Sequence, residues 1–423
     1  MLPDRSPVRL FAAERLPERL VLLFGILTGV LGIALAVTEF QESPQLDYHA
    51  YYFTGRAVLD GEPFVGTAIH EGTLAGSFLT DKEYVYTPVT GPLFAPYGLF
   101  PEWQYGYVLN VAVLAATFYA IGHITIRYIE RHGRQLARLD RWLILGFTLL
   151  SGHTVLGLYR GNVDPIMLLL ISLGFLAIER DAEIKGGALW AFAALFKLFP
   201  AFLGIWLLYR RATRAIAAAV VTGIGSILLG VALFGVDAHR DFIDFILNER
   251  SRQGAFEGGL DPEFLTITLR RPLSQVLALS GNQLILVSTA LVAPFVAYIY
   301  YEAESDLDRT AAFFATVLAL LVTIVPVTLN YVIYLFFPAI ALLYLVDDPR
   351  VKLLFVAGLV LVNLPIFPEQ VELIVGGLPL PAVVGDAITG GARTVMTYAS
   401  LPLWGFTALF AGCLRQVRLP ADG

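Results

Sequence analysis

Apolar runs long enough to cross a lipid bilayer recur along almost the whole chain, and no other feature constrains its fold so strongly. They lie at roughly 20–38, 105–126, 142–159, 164–178, 188–209, 215–234, 283–301, 311–328, 331–346, 353–367 and 394–412. A helix needs about 20 residues to span the hydrocarbon core, and every backbone polar group there must be satisfied within the spanning element. The runs are continuous rather than alternating, so they read as helices and not as barrel strands. Only 15% of the residues are charged and 57% are hydrophobic, which excludes an ordinary soluble domain. The expectation is an all-α polytopic membrane protein, residues 1–423 forming one integral domain with about 10–11 transmembrane helices. Residues 1–19 are charged and Pro-containing, and no small-residue cleavage site follows the first run, so no signal peptide is expected.

Arginine marks the cytoplasmic loops. Arg5, Arg9, Arg15 and Arg19 precede the first run, and Arg127, Arg131, Arg134, Arg138 and Arg141 follow the second. The segment between them, 39–104, holds nine acids against Arg56 and Lys82, which places it outside. Eleven full crossings would put "YRRATR" at 209–214 outside as well, against the rule. One run between 142 and 209 is therefore expected not to cross. The best fit is "GGALWAFAALFKLFPAFLGIWLLYRR", 186–211, where Lys197 sits mid-run and Pro200 interrupts the helix. It reads as two half-helices re-entering from the cytoplasm, with the run 165–178 as the other candidate. Loops 235–282 and 368–392 then join 39–104 on the extracytoplasmic side.

Chemistry-bearing residues gather in these outer segments. In "SPQLDYHAYYFTGRAVLDGEPF", 43–64, Ser43 can cap a helix with Pro44 at its first position, and Gly61 with Pro63 can stop it. Leu46, Ala50, Phe53 and Ala57 form an apolar stripe at helical spacing, with Asp47, Tyr51 and Thr54 along the flank. An extracytoplasmic interfacial helix would hold Asp47 at the water–lipid boundary; a solvated helix with belt tyrosines fits the same pattern. In "EYVYTPVTGPLFAPYGLFPEW", 83–103, Tyr86, Pro88, Pro92, Pro96 and Pro101 predict an extended, stiff segment. In "LYRGNVDPIM", 158–167, Arg160, Asn162 and Asp164 cluster at the outer ends of adjacent spans. Charges at that depth face a cavity or a partner, and an Arg160–Asp164 ion pair is the structural alternative. Lys197 can pair with a neighbouring acid or serve as counter-charge to an anion. The later outer loop offers His239, Arg240, Arg252, Arg270 and Arg271, and "PVTLNYVIYLFFP", 326–338, opens a span with Asn330, Tyr331 and Tyr334.

Several chemistries are not expected. The single Cys413 leaves no internal disulfide or cysteine metal cluster. The six His lack metal-ligand spacing, and no Gly-rich phosphate-cradling loop is present. Metal, organic cofactor and nucleic acid are thus absent from the expected partners. One external acid, external arginines, aromatic planes and an intramembrane cation suit glycosyl transfer from a lipid phosphate. One carboxylate can serve as general base for the acceptor hydroxyl, Arg or Lys can stabilise the departing phosphate, and sugar rings stack on tyrosines.

Four pieces in order, "LDYHAYYFTGRAVLDG", "YVYTPVTGPLFAP", "RGNVDPIMLLLISLG" and "GALWAFAALFKLFPAFLGIWLLYRR", cover residues 47 to 211. They resemble the membrane mannosyltransferases of glycosyltransferase family 87, within the GT-C fold superfamily. The "RGN" and "FKLFP" pair is also similar to the mannosyltransferase of glycosylphosphatidylinositol-anchor synthesis. The resemblance implies a GT-C-like bundle and an inverting hexosyltransferase, most often a mannosyltransferase. The donor would be a polyprenyl- or dolichyl-phosphate sugar, the acceptor a glycolipid or glycan, and the site extracytoplasmic in a multi-pass cell-membrane protein. It implies Asp47 as the catalytic base. On this reading Arg160, Lys197, Arg270 and Arg271 meet the donor phosphate, and Tyr51, Tyr52, Arg56, Tyr86, Asn162, His239, Asn330 and Tyr331 meet sugar and acceptor. No D-x-D stands in the first loop, so a metal-dependent version of the fold is not expected. Beyond residue 211 the match weakens: "GGLDPEFLTITLRR" stands where the family often has an Asn-Gln-Ser-like segment, and "LNYVIYLFFP" where it often has a Trp and a His. The alternative from another class is a transporter or flippase of lipid-linked sugars, which calls for internal repeats and broken helices meeting at mid-membrane.

Overall fold

A computed structural model describes residues 15–42, 46–65, 83–249, 256, 258–325, 328–364 and 366–419. Among the described residues the chain is helical, with no β-strand. Among the described residues five helices are long and apolar enough to cross a bilayer: Leu16–Ala34, Trp103–Arg131, Arg138–Arg160, Thr213–Leu247 and Gly281–Glu302. The pair Ala382–Tyr398 and Leu401–Gln416, bent by 49°, passes the same test together. The chain is an all-α polytopic membrane protein. Three further expected spans are occupied by shorter apolar helices, Asp164–Ile178, Phe199–Tyr209 and Leu329–Leu345. The last of these opens as a 3₁₀ turn, Leu329–Leu335, before Phe336–Leu345 winds as an α-helix.

The structure corrects the expected segmentation in places. The expected loop 368–392 contains the helices Pro368–Gly376 and most of Ala382–Tyr398. The final apolar helix starts at Leu401 rather than 394, because Ser400 is extended at its N-cap (φ −70°, ψ 159°). The helix expected to end near 234 continues to Asp244, but it breaks at Gly235 (φ 81°, ψ 170°). That region of backbone space is open essentially to glycine alone, so the expected boundary at 235 is a real one, with helix on both sides. The Ser43–Pro44 cap, Arg5, Arg9 and Arg252 lie outside the described residues.

The chain packs as two compact units, each discontinuous in sequence. Met1–Ala34, Ile121–Val155 and Gln253–Gly423 form one; Leu35–Ala120 and Leu156–Arg252 form the other. The first is built around phenylalanines, Phe313, Phe314, Phe336, Phe337 and Phe355, all essentially inaccessible. A methyl group on Gly29 would fall 1.6 Å from the Leu150 carbonyl, so two of its helices meet backbone to backbone, as small residues allow within membranes. The same unit buries Asp140 completely. Its carboxylate accepts from Arg19 Nε at 2.7 Å and from Arg19 Nη2 at 3.2 Å. It also caps its own helix by accepting the Ala137 N–H at 3.2 Å. Nearby, Lys352 Nζ lies 2.7 Å from the buried Glu18.

The second unit is organised by the helix Tyr48–Asp60. The expected apolar stripe of Leu46, Ala50, Phe53 and Ala57 is buried, but so are the flank residues Tyr51 and Thr54, and Tyr52 with them. Only Arg56, Leu59 and Asp60 of this helix are exposed. It is therefore a core element of its unit, with one exposed edge. The reason is a pair of glycines: a methyl on Gly55 would sit 2.2 Å from the Phe94 carbonyl and 2.9 Å from the Gly98 nitrogen. The segment that meets it is not extended either. Pro88–Phe94 winds as a 3₁₀ helix with proline in its first turn, continuing into Ala95–Gly98. Proline fixes φ near −65°, which suits a tight helix as well as an extended chain.

Removing one partner of a buried ion pair leaves an uncompensated charge and costs about 3–5 kcal/mol. Asp140→Ala is expected to lower the unfolding free energy of detergent-solubilised protein by that amount, measured by denaturant titration. A loss below about 1 kcal/mol, the range of a surface pair, would show that Arg19 finds water instead.

Candidate functional site

The site grows from the turn that ends the helix Gly152–Arg160. Gly161 takes the left-handed conformation (φ 67°), and the N–H groups of Gly161 and Asn162 both reach the Gly157 carbonyl, at 3.0 and 3.3 Å. This is the glycine-terminated helix end in which carbonyls of the last turn are closed off. Tyr107 donates to the Tyr159 carbonyl at 2.9 Å, and Asn110 Nδ2 to the Gly161 carbonyl at 2.9 Å. A methyl at 161 would lie 2.8 Å from both Asn110 Nδ2 and Tyr48 Cβ. Conformation and crowding each require glycine in this "RGN".

Asn162, 8% exposed, projects from this turn. Its Nδ2 donates to Asp47 Oδ2 at 2.9 Å, and its Oδ1 accepts the backbone N–H of Asp164 at 2.9 Å. Asp47 precedes the helix Tyr48–Asp60 without capping it through its side chain, so the half-buried carboxylate is directed to Asn162 instead. The Val163 N–H donates to the Tyr51 hydroxyl at 3.3 Å, and the Tyr51 and Tyr86 hydroxyls share a hydrogen bond of 2.7 Å. Tyr51 stacks on Phe94 with ring centroids 4.6 Å apart. Burial, reinforced by Asp47, pushes the Tyr51 hydroxyl well above its ordinary range, and burial does the same to Tyr86. Both stay protonated and act as hydrogen-bonding groups rather than bases.

Lys197 sits where the sequence predicts a break. The helix Glu183–Phe196 stops, Lys197 is extended (φ −142°, ψ 137°), and the chain resumes as Phe199–Leu203 and Gly204–Tyr209. The break leaves the Leu195 carbonyl without its helical donor, and Thr87 replaces it, through its N–H at 3.2 Å and its Oγ1 at 2.8 Å. Lys197 Nζ lies 2.5 Å from Asp164 Oδ1, and Asp164 is 1% exposed. The acid of this cluster thus answers Lys197, and the alternative Arg160–Asp164 pair is not formed. Arg160 is half-buried, and its Nε has no hydrogen-bond partner among the described residues.

The remaining candidates lie elsewhere. Tyr52 donates to the carbonyls of Phe100 and Pro101, at 3.1 and 3.3 Å, and so fastens its helix. Arg56 is on the exposed face of that helix. His239 Nδ1 lies 3.0 Å from the Gly235 carbonyl, and a methyl on Gly230 would be 2.7 Å from its Nε2, so the ring folds back across the helix break. In the first unit, Arg271 is wholly buried and donates to the carbonyls of Asp261, Phe264, Thr266 and Met396. Arg270 is also buried, 4.4 Å from the centre of the Phe256 ring, and burial lowers it to about 10, still cationic at neutral pH. Asn330 is buried in the turn Leu329–Leu335, and Tyr331 lies 6.0 Å from Tyr334.

The structure therefore joins Asp47, Tyr51, Tyr86, Asn162 and Lys197 in one unit, with Arg160 next to the turn that presents Asn162. It pairs Asp164, expected in a cluster with Arg160 and Asn162, with Lys197, and it adds Thr87 and Asn110, which the reading of individual motifs did not place. Asp164 carried a signal: two opposite charges in consecutive apolar segments are costly unless they meet. Thr87 and Asn110 carried none, since each serves a carbonyl exposed only by tertiary geometry. Among the described residues no three His, Cys, Asp or Glu side chains could hold one metal ion. A carboxylate fixed by an amide donor can take a proton from a hydroxyl brought against it.

The sequence model of glycosyltransferase family 87 matches residues 84–329, more than half of the chain. The matched stretch includes Tyr86, Arg160, Asn162, Asp164, Lys197, Arg270 and Arg271; Asp47 lies ahead of it. No curated protein and no solved structure matches the chain.

Lys197→Ala leaves Asp164 buried without its counter-charge. The expected loss is about 3 kcal/mol of unfolding free energy, the low end for a broken buried pair, because the lysine side chain is 18% exposed. Adding Asp164→Ala to the same chain is expected to recover part of that loss. Strictly additive losses in a double-mutant cycle would show the two charges to be independent.

Proposed function

The chain belongs to glycosyltransferase family 87, and we propose that it transfers a hexose, most consistent with mannose, from a polyprenyl- or dolichyl-phosphate to a hydroxyl of a glycolipid or glycan. The observation that carries this reading is the Asp47 carboxylate held at 2.9 Å by Asn162, in a unit that also supplies cations and aromatic rings. Asp47 takes the proton of the acceptor hydroxyl as that oxygen attacks the anomeric carbon. The bond from that carbon to the phosphate oxygen breaks, and its electron pair leaves with the lipid phosphate. Attack from the face opposite the phosphate inverts the configuration.

The departing phosphate carries the developing charge, so the reading needs a cation rather than a proton donor there. Arg160 is the first choice, because its Nε has no hydrogen-bond partner among the described residues and it adjoins the turn that carries Asn162. Lys197 would join only by loosening its contact with Asp164. No divalent metal takes part in this scheme. The extracytoplasmic face is supported by the acids of 39–104 set against the arginines of 127–141.

Asp47→Asn is expected to cut transfer by about 10²–10⁴-fold, the usual contribution of a general base. The assay follows label from polyprenyl-phosphate mannose to candidate acceptors with purified protein. Near-normal turnover by folded Asp47→Asn protein removes Asp47 from the mechanism. For the face, a cysteine at exposed Leu265 in a Cys413→Ser chain is expected to react with a membrane-impermeant reagent added outside cells. Reaction only after the cytoplasm is opened would mean that 186–211 crosses fully.

A further inference from the structure

Asn162 stands between two groups of opposite demand, and one of them fixes its orientation. The backbone N–H of Asp164 can only donate, so the atom 2.9 Å from it is the amide oxygen. The amide nitrogen is then committed to Asp47 Oδ2, 2.9 Å away. An amide nitrogen can only donate, so the Asp47 oxygen facing it must be an acceptor. The turn that presents the amide is rigid, held through the Gly161 carbonyl by Asn110 and through the Val163 N–H by Tyr51.

We propose that Asn162 is a positioning residue for glycosyl transfer: its amide orients the Asp47 carboxylate and favours the form able to accept a proton. It touches neither the reacting hydroxyl nor the sugar in this role. The inference rests on Asp47 as the base, and it replaces the expectation that Asn162 contacts substrate. Among the described residues, the charged or titratable groups of this cluster include Tyr51, which feels Asp47 directly, and Tyr86 bonded to it, both held neutral by burial, the Asp164–Lys197 pair, and Arg160 two residues before Asn162.

Asn162→Asp tests this, because it keeps the size of the side chain and an acceptor for the Asp164 N–H while removing the donor. The aspartate can replace the amide only while protonated. As pH rises and both carboxylates ionise, the two repel across one hydrogen-bond distance. The expected result is a loss of transfer, about 10- to 100-fold as for other groups that orient a reactive ligand, on an alkaline limb that the wild type lacks. KM for the lipid donor should stay unchanged while kcat falls. Independently of activity, the thermal midpoint of Asn162→Asp should drop below wild type increasingly as pH rises. The exchange Asp47→Asn with Asn162→Asp, which restores an amide facing a carboxylate, should regain that stability but not transfer.

An Asn162→Asp chain with the wild-type pH profile and midpoint overturns the proposal. A shifted midpoint with an unaltered rate profile overturns the catalytic role and leaves only the contact. Absence of transfer by the wild-type chain sinks the lipid-phosphate reading itself, and this role falls with it; transfer by wild type with an unmoved Asn162→Asp profile sinks this role alone.

Discussion

The unit that carries the candidate site depends on one ion pair, Lys197 with Asp164. Each charge sits within or beside an apolar helix, where an isolated one is costly to hold. Meeting at 2.5 Å, they tie the first turn of Asp164–Ile178 to the broken end of Glu183–Phe196. That contact leaves the chain between Arg160 and Asp164 little freedom. Asn162 is therefore presented at one place and in one orientation, and Asp47 is met there. A structural salt bridge thus helps to place the amide that meets the Asp47 carboxylate. Its net stabilisation is modest, since desolvation offsets much of the attraction; what it adds is register between two helices.

Glycine supplies the second layer of control. Gly55 against Gly98, Gly161 against Tyr48 and Asn110, and Gly187 against the Ala215 carbonyl all allow contacts closer than a methyl group permits. Within membranes, where lipid is as apolar as leucine, close backbone contact is a main source of helix association. In this chain it also buries tyrosines. With Gly55 and Gly98 in contact, Tyr51 and Tyr52 are enclosed, and their hydroxyls take up roles fastening backbone groups.

Much of this was legible from the sequence, and the failures have a common physical cause. The apolar runs, the interruption at Lys197 and Pro200 and the boundary at Gly235 follow from local rules of helix continuity. The family was legible too, from the motifs within the matched stretch 84–329. The helix 48–60 was readable as amphipathic, but periodicity says which face is apolar and not what covers the other. Four prolines in 88–101 were compatible with extended and with 3₁₀ backbone, and only packing against Gly55 decides between them. Asn162 was singled out as polar and near the acid; its double hydrogen bond was invisible, because Asp47 lies 115 residues away. The segmentation of 368–398 was missed because its helices are short and mostly exposed, so they lack the long apolar run used to find spans.

The break at Gly235 also sets a length. From Thr213 to Phe234 the helix runs for 22 residues, about 33 Å at 1.5 Å per residue, close to the roughly 30 Å of a bilayer's hydrocarbon. Along it Val220, Val221, Ile224, Ile227, Leu228, Leu229 and Leu233 are exposed, as lipid contact requires. Beyond the glycine the composition turns to Asp237, Arg240, Asp241 and Asp244. The part before the break is thus about as long as the hydrocarbon is thick, and the sequence turns polar just past it. Thickness itself becomes a coordinate of the protein: a bilayer a few ångströms thicker or thinner must tilt this helix or deform around it, and either response moves the residues past Gly235 relative to the headgroup plane.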